Sequence, residues 1–299
     1  IRDSLLVRGI ILKTRPKKIA PKYQSIWMKE GSPLRVLTQK MKDAVEQNMD
    51  DTVCEVGMRY GNPSIRYGLE QLKKSGVKEL LLAPLFPHHA QATTESSLKF
   101  AYKQMKEINW NPLTKEMGHF PNNPNFIDPL VESIRPYLQE DSHLLFSYHG
   151  IPKRHIKKSD ITKSHCKMND FCCDIKSKAH NFCYRHQCIK TTEAVAKFLK
   201  LKEGSYSTSF QSRLGPDPWL QPYTDKTINN FAKSGVKKMA VETITNDAGS
   251  TTGISGTPRA AATSSSIVPT IDPGSCKSAN HWPERPSRSI KSRSHCRDF

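Results

Sequence analysis

No uninterrupted apolar run in the 299 residues approaches the roughly 20 needed to span a bilayer. No secretory signal pattern is visible either, so the expected location is the cytoplasm, with peripheral membrane contact as a further expectation. Acidic residues are scarce: 28 Asp and Glu stand against 46 Lys and Arg, giving a net charge of +18 and a pI near 9.6. Such a balance permits loose contact with nucleic acid or anionic surfaces and says nothing about fold. No DNA- or RNA-binding motif accompanies the charge, so specific nucleic-acid binding is not expected. Apolar content is low at 36%, yet compatible with a packed core. The chain opens on Ile1 and not on Met, which sets the expectation of a fragment or an incomplete gene model.

What is present is a strand–helix rhythm. Ser32 and Pro33 suit the start of a helix reaching about Gln47, with Leu34, Leu37, Met41 and Val45 as its apolar stripe. Residues 53–60 read as a strand. Ser64 then caps a helix through Leu72, and Gly76 closes it. Residues 77–83 are the next strand, completing the spacing of a βαβ unit. Thr93 or Thr94 caps a helix carrying Leu98, Tyr102 and Met105, a weak strand follows near 113–117, and a helix covers 126–138. The apolar run Leu144–Phe146 predicts a buried strand that ends at His149, before Gly150 and Pro152. Open α/β folds bind ligands at that end of a strand. A helix at 191–199, a strand at 206–210, a helix at 224–232 and a strand at 236–241 repeat the unit. After Val241 no apolar period is sustained, and residues 242–299 are expected to be a disordered or aberrant tail, as a changed reading frame would produce.

Five of the eight cysteines, Cys166, Cys172, Cys173, Cys183 and Cys188, fall within one short polar stretch, with His165, His180 and His186 among them. Such clustering suggests a local metal site more than a disulfide framework. The spacings match no common zinc-finger pattern, so an iron–sulfur cluster, zinc and free thiols all stay open.

A series of short motifs carries a resemblance. They are Ser25-Ile26-Trp27-Met28 with Gly31-Ser32-Pro33-Leu34; Gly57-Met58-Arg59-Tyr60-Gly61; Leu85-Phe86-Pro87 with Thr93-Thr94; Ser147-Tyr148-His149-Gly150-Ile151-Pro152; Phe210-Gln211-Ser212-Arg213-Leu214-Gly215; Pro218-Trp219-Leu220; and Pro222-Tyr223-Thr224-Asp225. In order and spacing they resemble the ferrochelatase family, in its bacterial form with a cysteine-rich insertion. The resemblance implies an α/β fold of two Rossmann-like halves with parallel sheets flanking a porphyrin cleft. Here the halves would be residues 1–140, lacking the family's opening strand, and 141–241, with the insertion at 153–188. It implies insertion of ferrous iron, as substrate, into protoporphyrin IX. His149 would take up pyrrole protons, ligate the metal, or do both, tasks that suit a neutral imidazole. Tyr60, Phe86 and Trp219 are candidate walls for the macrocycle, together with Trp27, and Arg59 and Arg213 are candidate partners of its propionates. Core packing and ordinary salt bridges are the plainer roles of these residues. The five cysteines would hold a [2Fe-2S] cluster, with zinc as the alternative.

Two family features are missing, an opening Asn-Leu-Gly-x-Pro loop and a closing Glu-Thr-Leu-x-Glu motif whose glutamate pairs with the catalytic histidine. Glu242, followed by Thr243, is the remaining candidate for that acid. Two other readings follow: a noncatalytic relative that binds tetrapyrrole or iron, and a basic, cysteine-rich nucleic-acid-binding protein.

Overall fold

The computed structural model describes residues 20–21, 24, 26–49, 51–169, 171–213 and 215–244, and the backbone of 268–271. Helix α1 (Pro33–Asn48) begins where Ser32 accepts a hydrogen bond from the Arg35 N–H. Helix α2 (Ile65–Lys74) is capped by the Ser64 hydroxyl, which accepts from the Tyr67 N–H. Gly76 leaves that helix at φ +74°, with its N–H on the Lys73 carbonyl. Strand β1 (Glu79–Leu82) pairs in parallel with β2 (Leu113–Glu116), and helix α3 (Ser96–Glu107) connects them. Between α2, α3 and β1, Leu69, Leu72, Leu80 and Met105 form a small core.

The second half is larger. Helix α4 (Pro124–Ile134) gives way to a 3₁₀ turn at Arg135–Tyr137, because Pro136 has no N–H to continue the α-helix. Strand β3 (His143–His149) follows, then α5 (Lys153–Ser159), α6 (Tyr184–Phe198), β4 (Tyr206–Gln211), α7 (Thr224–Lys233) and β5 (Met239–Ile244). The sheet order is β4-β3-β5, all parallel, and β6 (Val268–Ile271) lies antiparallel at the β5 edge. This is an α/β protein with parallel sheets, as the rhythm predicts.

Period-2 alternation divides the central sheet into two faces. Leu144, Phe146, Tyr148, Ala240 and Ile244 face α4 and α6 in the main core. Leu145, Met239 and Val241 face Ile228 and Phe231 of α7. Because β3 is covered on both faces, its residues 144–148 are all buried.

Four expectations are corrected. Residues 53–60 join no ladder among the described residues; Met58 bridges to Ser64, and a strand needs a neighbour for its N–H and C=O groups. A π-helical turn at Gln91–Glu95, with no side-chain cap, replaces the threonine cap of α3. Helix α6 starts at Tyr184, inside the cysteine-rich stretch, well before Thr191. The last predicted strand runs to Ile244, so the boundary expected after Val241 falls inside β5. Residues 245–267 and 272–299 lie outside the described residues.

Within β5, Glu242 has no solvent exposure, and among the described residues neither carboxyl oxygen has a hydrogen-bond partner. Burial pushes its carboxyl up to about 8. A raised carboxyl pKa costs nothing below about pH 4.5, where both folded and unfolded chains hold the proton. Stability then falls as pH rises, because the unfolded chain releases a proton that the folded chain retains, and the full cost is reached above pH 8. Glu242→Gln should therefore match the parent near pH 4.5 and exceed it by several kcal/mol, on the order of 3–5, at pH 8. Urea unfolding at the two pH values measures this. An equal difference at both would mean that the carboxyl is not held neutral.

Candidate active site

His149 is the last residue of β3, the middle strand of the parallel trio, and is half-buried. The peptide unit that follows it is tied at both polar ends. The His149 carbonyl accepts from the Tyr184 hydroxyl at 2.8 Å, and the Gly150 N–H donates to the Gln211 carbonyl at 2.8 Å. A Cβ on Gly150 would sit 2.7 Å from that same Gln211 oxygen, so only glycine fits this crossing between β3 and β4.

The loops after β3 and β4 are stitched together. Pro152 bridges to Trp219, the Lys153 N–H donates to the Pro218 carbonyl at 2.8 Å, and the Leu220 N–H donates to the Ile151 carbonyl at 3.0 Å. The Phe210 N–H donates to the Pro222 carbonyl at 2.8 Å. These bonds bring Trp219 against Gly150, one residue from His149. Behind the loops, the Thr224 hydroxyl at the start of α7 meets Ser147 and Ser209, each at 2.9 Å, and fixes that helix to β3 and β4.

Arg213 leaves the end of β4 and forms a two-pronged ion pair with Asp225, 2.9 Å at each prong, with its guanidinium 4.5 Å from the Tyr223 ring. Arg59 lies 4.7 Å from the Tyr60 ring and 4.3 Å from the Phe100 ring. Its Nε is buried and has no hydrogen-bond partner among the described residues. Tyr60 is highly exposed and Phe86 half-buried. His149 and Trp219 are thus brought together in the second half, whereas Arg59 and Tyr60 form their own cluster with Phe100 in the first.

Glu242 is not brought to His149. The register sets it level with Phe146, three residues before His149, on the face that packs α4 and α6; alternation puts His149 on the other. The expected carboxylate partner is therefore not supplied from this position.

His88 and His89 lie in the loop after β1, where adjacent histidines are expected to point in different directions and not to form a joint metal site without special geometry. His88 has no exposure and is ringed edge-on by Phe126, Tyr148 and Tyr184. Its Nε2–H donates to the Thr191 hydroxyl at 2.9 Å, since that hydroxyl is itself the donor to the Pro121 carbonyl. The adjacent His89 turns elsewhere, its Nε2 lying 3.4 Å from Glu95, and its N–H donates to the Gln187 side chain at 2.6 Å. These contacts fasten the loop after β1 to α6. No local pattern signals them, because the partners lie about a hundred residues apart.

The cysteine-rich insertion folds around Asp160, whose carboxylate accepts from the N–H groups of Thr162, His165 and Cys166 and from the Thr162 hydroxyl. Burial opposes ionisation there, but those four bonds prevail and hold the carboxyl down to about 2. The neighbouring thiols of Cys166 and Cys173 pull the Cys183 thiol well below its usual range, while their own are pushed up. The Cys172 carbonyl accepts from His165 at 2.7 Å and His180 at 3.2 Å, and His180 stacks on His186 with centroids 3.7 Å apart. Cys188 is apart from the thiol trio, fully buried one turn into α6. Clustered thiols are the soft donors that iron–sulfur and zinc sites use, so the donor chemistry fits. Among the described residues no three His, Cys, Asp or Glu side chains are arranged to hold an ion.

The ferrochelatase family model matches residues 3–245. The chain is 42% identical over 239 residues to the ferrochelatase of Pseudomonas fluorescens, covering 79% of this chain and 70% of that one. It is 41% identical to the ferrochelatase of Stutzerimonas stutzeri and 39% identical to that of Pseudomonas syringae pv. tomato, with the same coverage. A match of this length, through the strand that ends in His149 and both loops that surround it, makes this chain a member of the ferrochelatase family.

Proposed function

We propose that this chain inserts ferrous iron into protoporphyrin IX, with His149 as the group that receives the pyrrole protons. The observation that carries the reading is the placement of His149: a half-buried imidazole at the carboxyl end of the central strand, its backbone tied on both sides, beside Trp219. Two N–H protons must leave the macrocycle as the metal enters. A neutral imidazole can accept a proton and pass it on, and it is also a competent nitrogen ligand for ferrous iron. Distorting the ring towards the metal requires flat, apolar walls, a role that suits Trp219, Tyr60 and Phe86. Arg59 and Arg213 are suited to the propionates. Arg213 would exchange the Asp225 carboxylate for a propionate of the same geometry, at little change in pairing energy.

The surroundings belong to the same reading. Among the described residues no helix is long and apolar enough to cross a membrane. The exposed Ile26, Trp27 and Tyr60 support peripheral contact with a bilayer that carries an apolar porphyrin, from a cytoplasmic location. The thiols of Cys166, Cys172, Cys173 and Cys183 would hold a [2Fe-2S] cluster, with Cys188 as a buried neighbour. The nearness of Cys166 and Cys173 to Cys183 supports this.

Replacing His149 with alanine should abolish insertion, measured as protoheme formation under anaerobic, reducing conditions, while fluorescence titration shows porphyrin still bound. Proton transfer by a positioned side chain is worth about 10²–10⁴-fold, so a variant within threefold of the parent would remove His149 from that role. For the cluster, protein purified anaerobically should carry iron and acid-labile sulfide in equal amounts, with visible absorption that dithionite bleaches. Zinc without sulfide, or no stoichiometric metal, would overturn the cluster and leave zinc or free thiols in its place.

A further inference from the structure

Tyr184 is the point where the cysteine-rich insertion meets the strand that carries His149. The residue before it, Cys183, is the N-cap of α6 and neighbours two other thiols of the insertion. One turn on, Cys188 is fully buried near the Tyr184 hydroxyl. That same hydroxyl donates to the His149 carbonyl at 2.8 Å, across 35 residues of sequence. The Tyr184 side chain is only 1% exposed, so water does not compete for the bond.

The geometry of that bond matters because of where it falls. β3 ends at His149, and two bonds hold the next peptide: Tyr184 to the carbonyl, and the Gly150 N–H to Gln211. Together with the N and Cα held by the strand, the carbonyl carbon of that peptide sets the direction in which the Cα–Cβ bond of His149 projects. Without the hydroxyl, the carbonyl would lose this buried bond. A misplacement of about 1 Å at a reacting group can cost on the order of 10²-fold in rate.

We infer that Tyr184 is a positioning residue for His149, and that through its neighbour Cys183 it makes the orientation of the imidazole depend on the state of the insertion's thiols. The inference rests on His149 as the proton acceptor, and it adds a physical link between that residue and the cysteine-rich part of the insertion. The ring of Tyr184 also fills core space against His88, at 5.7 Å between centroids, so packing and positioning must be separated. Tyr184→Phe does this by keeping the ring and removing only the hydroxyl.

The experiment follows the His149 imidazole by NMR in protein labelled at the histidine ring carbons, with its signal identified by loss in His149→Ala. In Tyr184→Phe that signal should move, and kcat for iron insertion should fall at least tenfold while KM for protoporphyrin stays within twofold. Cys183→Ser should move the same signal in the parent and leave it unmoved in the Tyr184→Phe background. An unmoved signal with unchanged kcat in folded Tyr184→Phe would overturn the positioning role. An equal shift from Cys183→Ser in both backgrounds would overturn the transmission through Tyr184. A parent that inserts no iron would defeat the proposed function alone, because the imidazole signal still tests the positioning.

Discussion

The second half of this molecule depends on β3 having a hydrogen-bonded parallel neighbour on each side. Pairing with both β4 and β5 satisfies the backbone of residues 143–148, which lets an apolar strand be buried on both faces without orphaned polar groups. Burial on both faces fixes the register, because a slip of one residue would exchange the face packed by α4 and α6 with the face packed by α7. With the register fixed, the end of the strand is a defined place, and His149 occupies it. The same pairing sets Gln211 beside His149, and Gln211 in turn requires glycine at position 150.

Signals that act locally were legible in the sequence. Ser32 and Ser64 cap the helices they were expected to cap, because a side-chain oxygen three residues from an unpaired N–H is a local arrangement. The run from Leu144 to Phe146 marked the central strand, and the Gly150 and Pro152 punctuation marked its end. Where the reading failed, the cause was not local. Residues 53–60 have strand character but find no ladder partner among the described residues. Helix α6 begins at a cysteine with no side-chain cap, in a polar stretch, so no signal announces it before its apolar face appears. Tyr184 could not be read because its partner is a backbone carbonyl 35 residues away, a group that no motif encodes.

Glu242 and the cysteines show how position within the fold alters the chemistry a residue type suggests. An acid three positions from the right depth, on the opposite face, is a buried carboxyl without a partner among the described residues and not a relay. Its burial is a local conflict inside an otherwise consistent strand. The cysteine-rich stretch, by contrast, folds around Asp160 and places Cys183 at the entrance to α6. That arrangement connects the insertion to the core through covalent neighbours of Tyr184, so the segment that interrupts the strand–helix rhythm also abuts the residue that holds His149.

The central claim is that the end of β3 receives protons displaced by an entering metal. It is tested most directly by mixing the purified chain with ferrous iron and protoporphyrin IX in anaerobic, weakly buffered solution and recording heme absorbance and proton release together. The account predicts heme formation above the protein-free rate, with two protons released for each heme. Tight porphyrin binding with neither heme nor proton release would contradict it.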